Sequence, residues 1–154
     1  TLFVTHDQDE AMIMSDEIHL FYQGHVEQSG RPVDIYTDPK TKFAAEFIGN
    51  YNILERELLH RMIDFQEDQH RFYAIRPETL QLSKEKLSDT DYCFEGQVVS
   101  HLLHGNVLRY TIMSHGFKLH VDALFRSFQL FENGDTLFIG VDKHNILGVE
   151  DAKL

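Results

Sequence analysis

The stretch Val107-Leu108-Arg109-Tyr110-Thr111-Ile112-Met113, then Ser114-His115-Gly116, then Phe117-Lys118-Leu119-His120-Val121-Asp122 decides the fold. Apolar and polar side chains alternate through both flanks, the period of a strand with one buried face. Ser114-His115-Gly116 is turn material between them. Strands joined by so short a turn lie antiparallel. Outward from this hairpin the texture repeats. Segments 93–101, 136–142 and 70–75 read as further strands, with His104-Gly105-Asn106 and Glu132-Asn133-Gly134-Asp135 as turns. Turn residues recurring about every 8–12 positions mark a small antiparallel sheet or barrel, and the pattern starts near Tyr51.

Residues 1–50 are built differently. Thr1-Leu2-Phe3-Val4-Thr5 is β-branched, aromatic and uncharged, the composition of a buried strand. Asp7, Asp9 and Glu10 follow at a helix start, where the macrodipole favours negative charge. Ala11, Met14 and Ile18 continue an apolar stripe at helical spacing, with the helix ending near Asp16. Ile18, Leu20 and Tyr22 then alternate with polar neighbours, and Gln23-Gly24 turns into a second strand through Val26 and Gln28. Pro32 opens a short helix over 33–36 and Pro39 forbids its extension. Thr41 caps another helix carrying Phe43 and Phe47 on one face, with Gly49 as terminator. The predicted order is β-α-β-β-α-α. An apolar strand with unpaired backbone is an association template, so residues 1–22 are expected to pair with the chain's own hairpin or with a second copy.

Composition narrows the function. The 154 residues are 42% apolar and 25% charged, with a net charge of −11. Residues 1–50 hold 3 Lys/Arg against 9 Asp/Glu, a balance of −6, and residues 51–154 hold 11 against 16, a balance of −5. Neither part has the basic surplus that phosphate backbones or anionic membranes require. No apolar run approaches the roughly 20 residues of a membrane span, and no signal-peptide pattern is present. The single cysteine, Cys93, excludes an intrachain disulfide, fits a reducing compartment and reads as packing.

A larger pattern runs through residues 1–52: Phe3-Val4-Thr5-His6-Asp7-Gln8, Glu10-Ala11, Asp16-Glu17-Ile18, Gly24, Gln28, Gly30, Pro32, Ile35-Tyr36, Pro39, and Phe43-Ala44-Ala45-Glu46-Phe47-Ile48-Gly49 with Asn52. On these positions the segment resembles the end of the nucleotide-binding domain of an ABC importer ATPase. The subgroup is the one with a C-terminal regulatory extension: the polyamine, ferric-iron, oxyanion and maltose-type importers. Residues 72–148 resemble the transport-associated OB module of that subgroup, on Ile75-Arg76-Pro77-Glu78, Phe94-Glu95-Gly96-Gln97-Val98 and Asn133-Gly134-Asp135. Glu17 departs from the basic residue common after the family's Asp. The implied fold class is an α/β remnant of a P-loop nucleotide-binding domain (1–50) followed by an all-β OB-like barrel (51–154).

By this resemblance the chain is the C-terminal part of the ATP-hydrolysing subunit of an ABC importer. Such a subunit couples ATP hydrolysis to small-solute uptake at the cytoplasmic face of the cell membrane. The resemblance implies a second copy, membrane-spanning permease subunits and, indirectly, a solute-binding protein as partners, and no nucleic acid. ATP and Mg2+ are the implied cofactors of the full-length protein. His6 takes the position of the switch histidine, which contacts the γ-phosphate, and is the catalytic and cofactor-binding candidate. Asp7 would face the other subunit of the dimer. Phosphoryl transfer depends on positioning and charge stabilisation, which an imidazole can supply. The chain has no G-x-x-x-x-G-K-[ST] loop, no acidic strand end for Mg2+ and no Ser-Gly-Gly signature. Alone it is expected to be inactive, with no cofactor of its own.

Plainer readings stand beside these. His6 could be a strand-end histidine with a local hydrogen bond. A metal-binding His6-Asp7 pair would need further ligands that His19 and His25 do not supply. On a strand, His101 and His104 point to opposite faces, as a solvated pair does and a metal site does not, so no metal is expected. Phe72, Tyr73, Tyr92 and Tyr110 read as core rather than as a stacking platform for bases. Arg76 and Glu78 form either an ion pair at the barrel entrance or an ordinary surface pair. The alternative for the whole chain is a non-enzymatic, ligand-sensing OB module for a small solute or oxyanion.

Overall fold

The structure is a computed structural model and describes residues 1–126 and 130–151. Helix α1 (Gln8–Met14) leads into a hairpin of β1 (Ile18–Tyr22) and β2 (His25–Gly30). Gln23 and Gly24 have φ of 49° and 79°, the two-residue turn whose twist suits flanking strands. Helix α2 (Pro32–Thr37) starts on its proline, and α3 (Lys42–Gly49) is capped by Thr41, whose hydroxyl accepts the Ala44 N–H at 3.1 Å. The left-handed residue that ends α3 is Asn50, at φ 49°, and not Gly49. Glycine is needed at 49 for space, since a Cβ there would lie 2.4 Å from the Tyr51 ring.

Then come β3 (Asn52–Glu55), α4 (Arg56–Met62), β4 (Phe72–Ile75), a 3-10 turn at Pro77–Thr79 and β5 (Gln81–Ser83). The long β6 (Tyr92–His104), β7 (Val107–Ser114), β8 (Phe117–Leu124), β9 (Thr136–Val141) and β10 (Leu147–Val149) complete the order. The strands expected over 70–75, 93–101, 107–113, 117–122 and 136–142 all form, and their pairing is antiparallel. Among the described residues three sheets result: β1-β2, β10-β4-β3, and β5-β9-β6-β7-β8. The five-stranded sheet curls into a half-barrel, with β8 against the 3-10 turn after β4. Alternate residues of β7 (Leu108, Tyr110, Ile112) are buried, as the period-2 pattern requires. They join Leu119, Val121, Leu137 and Ile139 in the main core.

A second cluster sits on the three-stranded sheet and crosses position 50, since Ala45 of α3 packs with Tyr51, Phe72, Ala74 and Val149. Residue 150 ties the same helix down: Lys42 N–H donates to Glu150 O at 2.7 Å and Glu150 N–H to Lys40 O at 3.0 Å, a parallel bridge at Thr41.

One expectation fails. Residues 1–5 form no strand, and Leu2 and Val4 are 87% and 91% exposed. A strand exists only where neighbours take its backbone groups, and among the described residues no strand runs beside this segment. Pairing within residues 1–22 is confined to β1, which bonds to β2. Apart from the single bridge at Thr41, the described residues before 50 contain no parallel pairing, so the sheet of a P-loop domain is not seen there. The apolar stripe of α1 is also unburied, with Met14 exposed.

Candidate functional site

His6 stands just ahead of α1, in a turn fastened by its neighbours. Asp7 is the N-cap, its Oδ1 accepting the Glu10 N–H at 3.0 Å. Thr5 Oγ1 accepts the Asp7 N–H at 3.0 Å and donates to Glu10 Oε2 at 3.3 Å. Two carboxylates and a hydroxyl thus fasten the helix start, a capping box closed through Thr5. The His6 ring is exposed and makes no hydrogen bond or ion pair among the described residues. The local hydrogen bond of the plainer reading is therefore missing.

This turn does not fit a nucleotide phosphate unaided. Two of its N–H groups, those of Asp7 and Glu10, are already taken by a hydroxyl and a carboxylate oxygen, and Asp7, Asp9 and Glu10 put three acidic residues within four positions of His6. A phosphate needs a nest of open N–H groups and a cation. His6 can contribute one orientable donor to a site assembled by other groups.

The other polar convergence lies where α2 meets the half-barrel. Tyr36 donates its phenol proton to Glu78 Oε1 at 2.5 Å, and Arg76 Nη1 approaches the same oxygen at 3.8 Å. The expected Arg76–Glu78 pair exists, and the tyrosine shares it, with the Arg76 guanidinium 5.6 Å from the Tyr36 ring centre. Burial first, and the bond to Glu78 second, push the Tyr36 phenol up to about 12. Tyr51, which donates to Tyr36 O at 2.8 Å, is raised further by burial. Across the β7–β8 pair, Arg109 grips Asp122 through two parallel bonds of 2.7 and 2.8 Å. That bond holds the guanidinium above its ordinary range, with Glu78 adding to the effect. A groove of about 1090 Å3 runs past this cluster, floored by Leu108, Tyr110 and Val121 and walled by Tyr36, Glu78 and Asp122.

The remaining candidates separate. His101 Nδ1 is 3.0 Å from Asn133 Oδ1, while His104 is exposed at the strand end. His19 bonds Ser29 at 2.8 Å on the first hairpin. Among the described residues no three His, Cys, Asp or Glu side chains cluster as a metal site requires. Phe72, Tyr73 and Tyr110 are buried and Tyr92 half-buried, in the core as expected. Glu27 was not anticipated. Only 7% exposed, it has no hydrogen-bond partner for either carboxylate oxygen among the described residues. The Arg109–Asp122 clasp was also missed, although the two-residue turn His115-Gly116 makes those positions cross-strand partners.

No protein-family model matches the sequence. Curated proteins do. The spermidine/putrescine import ATP-binding protein PotA of Trichormus variabilis is 32% identical, the match covering 78% of this chain and 37% of that protein. The protein of the same description from Acetivibrio thermocellus is 31% identical over 94% of this chain and 43% of its own length. That of Clostridium acetobutylicum is 38% identical over 68% and 32%. The chain thus spans between 32% and 43% of the length of these three relatives. Among solved structures, the cytoplasmic molybdate-binding protein ModG superposes with a TM-score of 0.43 at 10% identity, over 51% of this chain and 60% of that one.

Proposed function

We propose, for a chain that is a sequence relative of the ATP-binding subunits of ABC importers, that it forms part of such a subunit and shares in coupling ATP hydrolysis to solute uptake. The observation that carries this is the match to those relatives along as much as 94% of the chain. In this reading residues 1–50 end a nucleotide-binding domain and residues 51–154 form an OB-like regulatory domain, for which the curled five-stranded sheet is the support. Two copies work beneath membrane-spanning permease subunits at the cytoplasmic face, with ATP and Mg2+ held mainly by residues outside this chain. His6 is the γ-phosphate contact of that composite site and Asp7 lies toward the second copy. The unpartnered, exposed imidazole suits the first role. The relatives' names make spermidine and putrescine the first solutes to test.

Turnover measured with and without Mg2+ tests the reading in two settings. The chain alone is expected to show none, and magnesium-dependent hydrolysis lost in His6→Ala would overturn that expectation. In a whole subunit carrying this segment, His6→Ala is expected to lower turnover by about 100-fold or more, the scale of one lost charge-stabilising donor, with folding unchanged. Full activity of that variant would remove His6 from the site.

A further inference from the structure

Three hydrogen bonds around His6 close into a ring. Glu10 N–H donates to Asp7 Oδ1 at 3.0 Å, Asp7 N–H to Thr5 Oγ1 at 3.0 Å, and the Thr5 hydroxyl to Glu10 Oε2 at 3.3 Å. The middle bond makes a tight turn with His6 at its centre, since a hydroxyl that accepts from the residue two positions on mimics a backbone turn. The other two tie that turn to the start of α1. His6 therefore sits between two residues held by the helix, although its own ring makes no hydrogen bond among the described residues.

Capping alone does not require this arrangement. Asp7 already supplies the cap, and in the ordinary box the glutamate at the third helical position would itself accept the Asp7 N–H. Here a hydroxyl stands between them, and it carries the hold back across His6 to Thr5. Residues 1–5 form no strand, and of residues 1–6 only Thr5 makes a hydrogen bond among the described residues. Thr5 is also the one half-buried residue of that stretch. Its Oγ1 accepts and donates at once, which no apolar side chain of the same shape can do.

We propose that Thr5 and Glu10 are positioning residues, which fix the main chain on either side of His6 and so the direction in which the imidazole is presented to a phosphate. The proposal rests on the role given to His6 above. A donor that stabilises transition-state charge contributes fully only when it is held in place beforehand, and a misplacement of about 1 Å is costly.

The whole subunit and the chain alone both test it. In the whole subunit Thr5→Val, which keeps the shape and loses the hydroxyl, is expected to lower kcat about three- to tenfold, the worth of one hydrogen bond. KM for ATP is expected to change less than about twofold. Thr5→Ser returns the hydroxyl and is expected to restore kcat. Glu10→Gln, whose amide oxygen still accepts, is expected to stay closer to wild type than Glu10→Ala. In a His6→Ala background Thr5→Val is expected to add nothing, because a residue acting through His6 then has nothing to act on. In the chain alone, hydrogen exchange at the Asp7 amide is expected to quicken at least about threefold in Thr5→Val and not in Thr5→Ser, with unchanged circular dichroism. Wild-type kcat in Thr5→Val beside an impaired His6→Ala overturns the proposal and leaves the reading of His6 standing. Equal losses in Thr5→Val and Thr5→Ser, a further loss on top of His6→Ala, or unchanged exchange at Asp7 also overturn it. If His6→Ala is itself fully active, the proposal falls together with the reading of His6.

Discussion

The side chain of Asn52 pairs with the backbone of His120 in both directions. Its Nδ2 donates to the His120 carbonyl and its Oδ1 accepts the His120 N–H, each at 2.8 Å. A third bond from Nδ2 reaches Ile75 O at 3.3 Å. Asn52 begins β3 of the small sheet and His120 lies in β8 of the half-barrel, so one buried amide does the work of a strand between two sheets. Replacing it by alanine takes these partners from the His120 N–H and carbonyl. Asn52→Ala is expected to lower stability by about 2–4 kcal/mol, read as a fall in the urea midpoint at unchanged slope.

The imidazole of His120 gives an acid-side prediction. Burial first, and the Arg109 guanidinium second, hold it below the ordinary value of 6.5, against the opposite pull of Asp122. The unfolded chain then takes up this proton more readily than the native one. Stability from this group is full above pH 6.5 and is lost as pH falls from there through the lower value of the native imidazole. Melting temperatures of wild type and His120→Gln measured from pH 8 to pH 5 are expected to converge on the acid side. A constant difference across the range would count against the assignment.

Tyr36 gives the alkaline counterpart. Its phenol is raised from 10.0 to about 12, so the unfolded chain ionises first. Its contribution is complete below pH 10 and drains away as pH rises toward 12. Tyr36→Phe should be less stable than wild type at pH 8 by about 1 kcal/mol, the scale of one hydrogen bond. The gap should close above pH 10, as followed by chemical denaturation.

The Arg109–Asp122 clasp depends on the planar fork of the guanidinium. Arg109→Lys keeps the charge and loses the second bond. A destabilisation of about 0.5–1.5 kcal/mol is expected, and Arg109→Ala should cost more because Asp122 is the more enclosed partner. Equal stability of wild type and Arg109→Lys would show that the two-pronged geometry contributes nothing.

The half-barrel was legible because its strands obey local rules. In β7 every second side chain is buried, and the turn at His115-Gly116, with φ of 50° and 77°, sets the register of Val107–Ser114 against Phe117–Leu124. Thr41 and Pro32 announced their helices for equally local reasons. Residues 1–5 misled for the opposite reason. Their composition suits a strand, but a strand is made by neighbours, and none lies beside them among the described residues. At the candidate site, motif order pointed to His6 and to the Arg76–Glu78 pair. Tyr36 was invisible as a site residue because it meets Glu78 across 42 positions of sequence. Asn52 entered only as a match position, and no period or spacing points from it to His120 across 68 positions.

The bridge between Thr41 and Glu150 has a mechanical meaning. Its two hydrogen bonds flank Thr41 on a parallel segment. A force pulling the chain before residue 41 away from the chain after residue 150 draws two parallel segments in opposite directions. Both bonds are then loaded together, in shear, instead of being peeled one after the other. Any tug on α3 therefore reaches β10 directly and passes through β4 into β3, without first stretching the polypeptide between them.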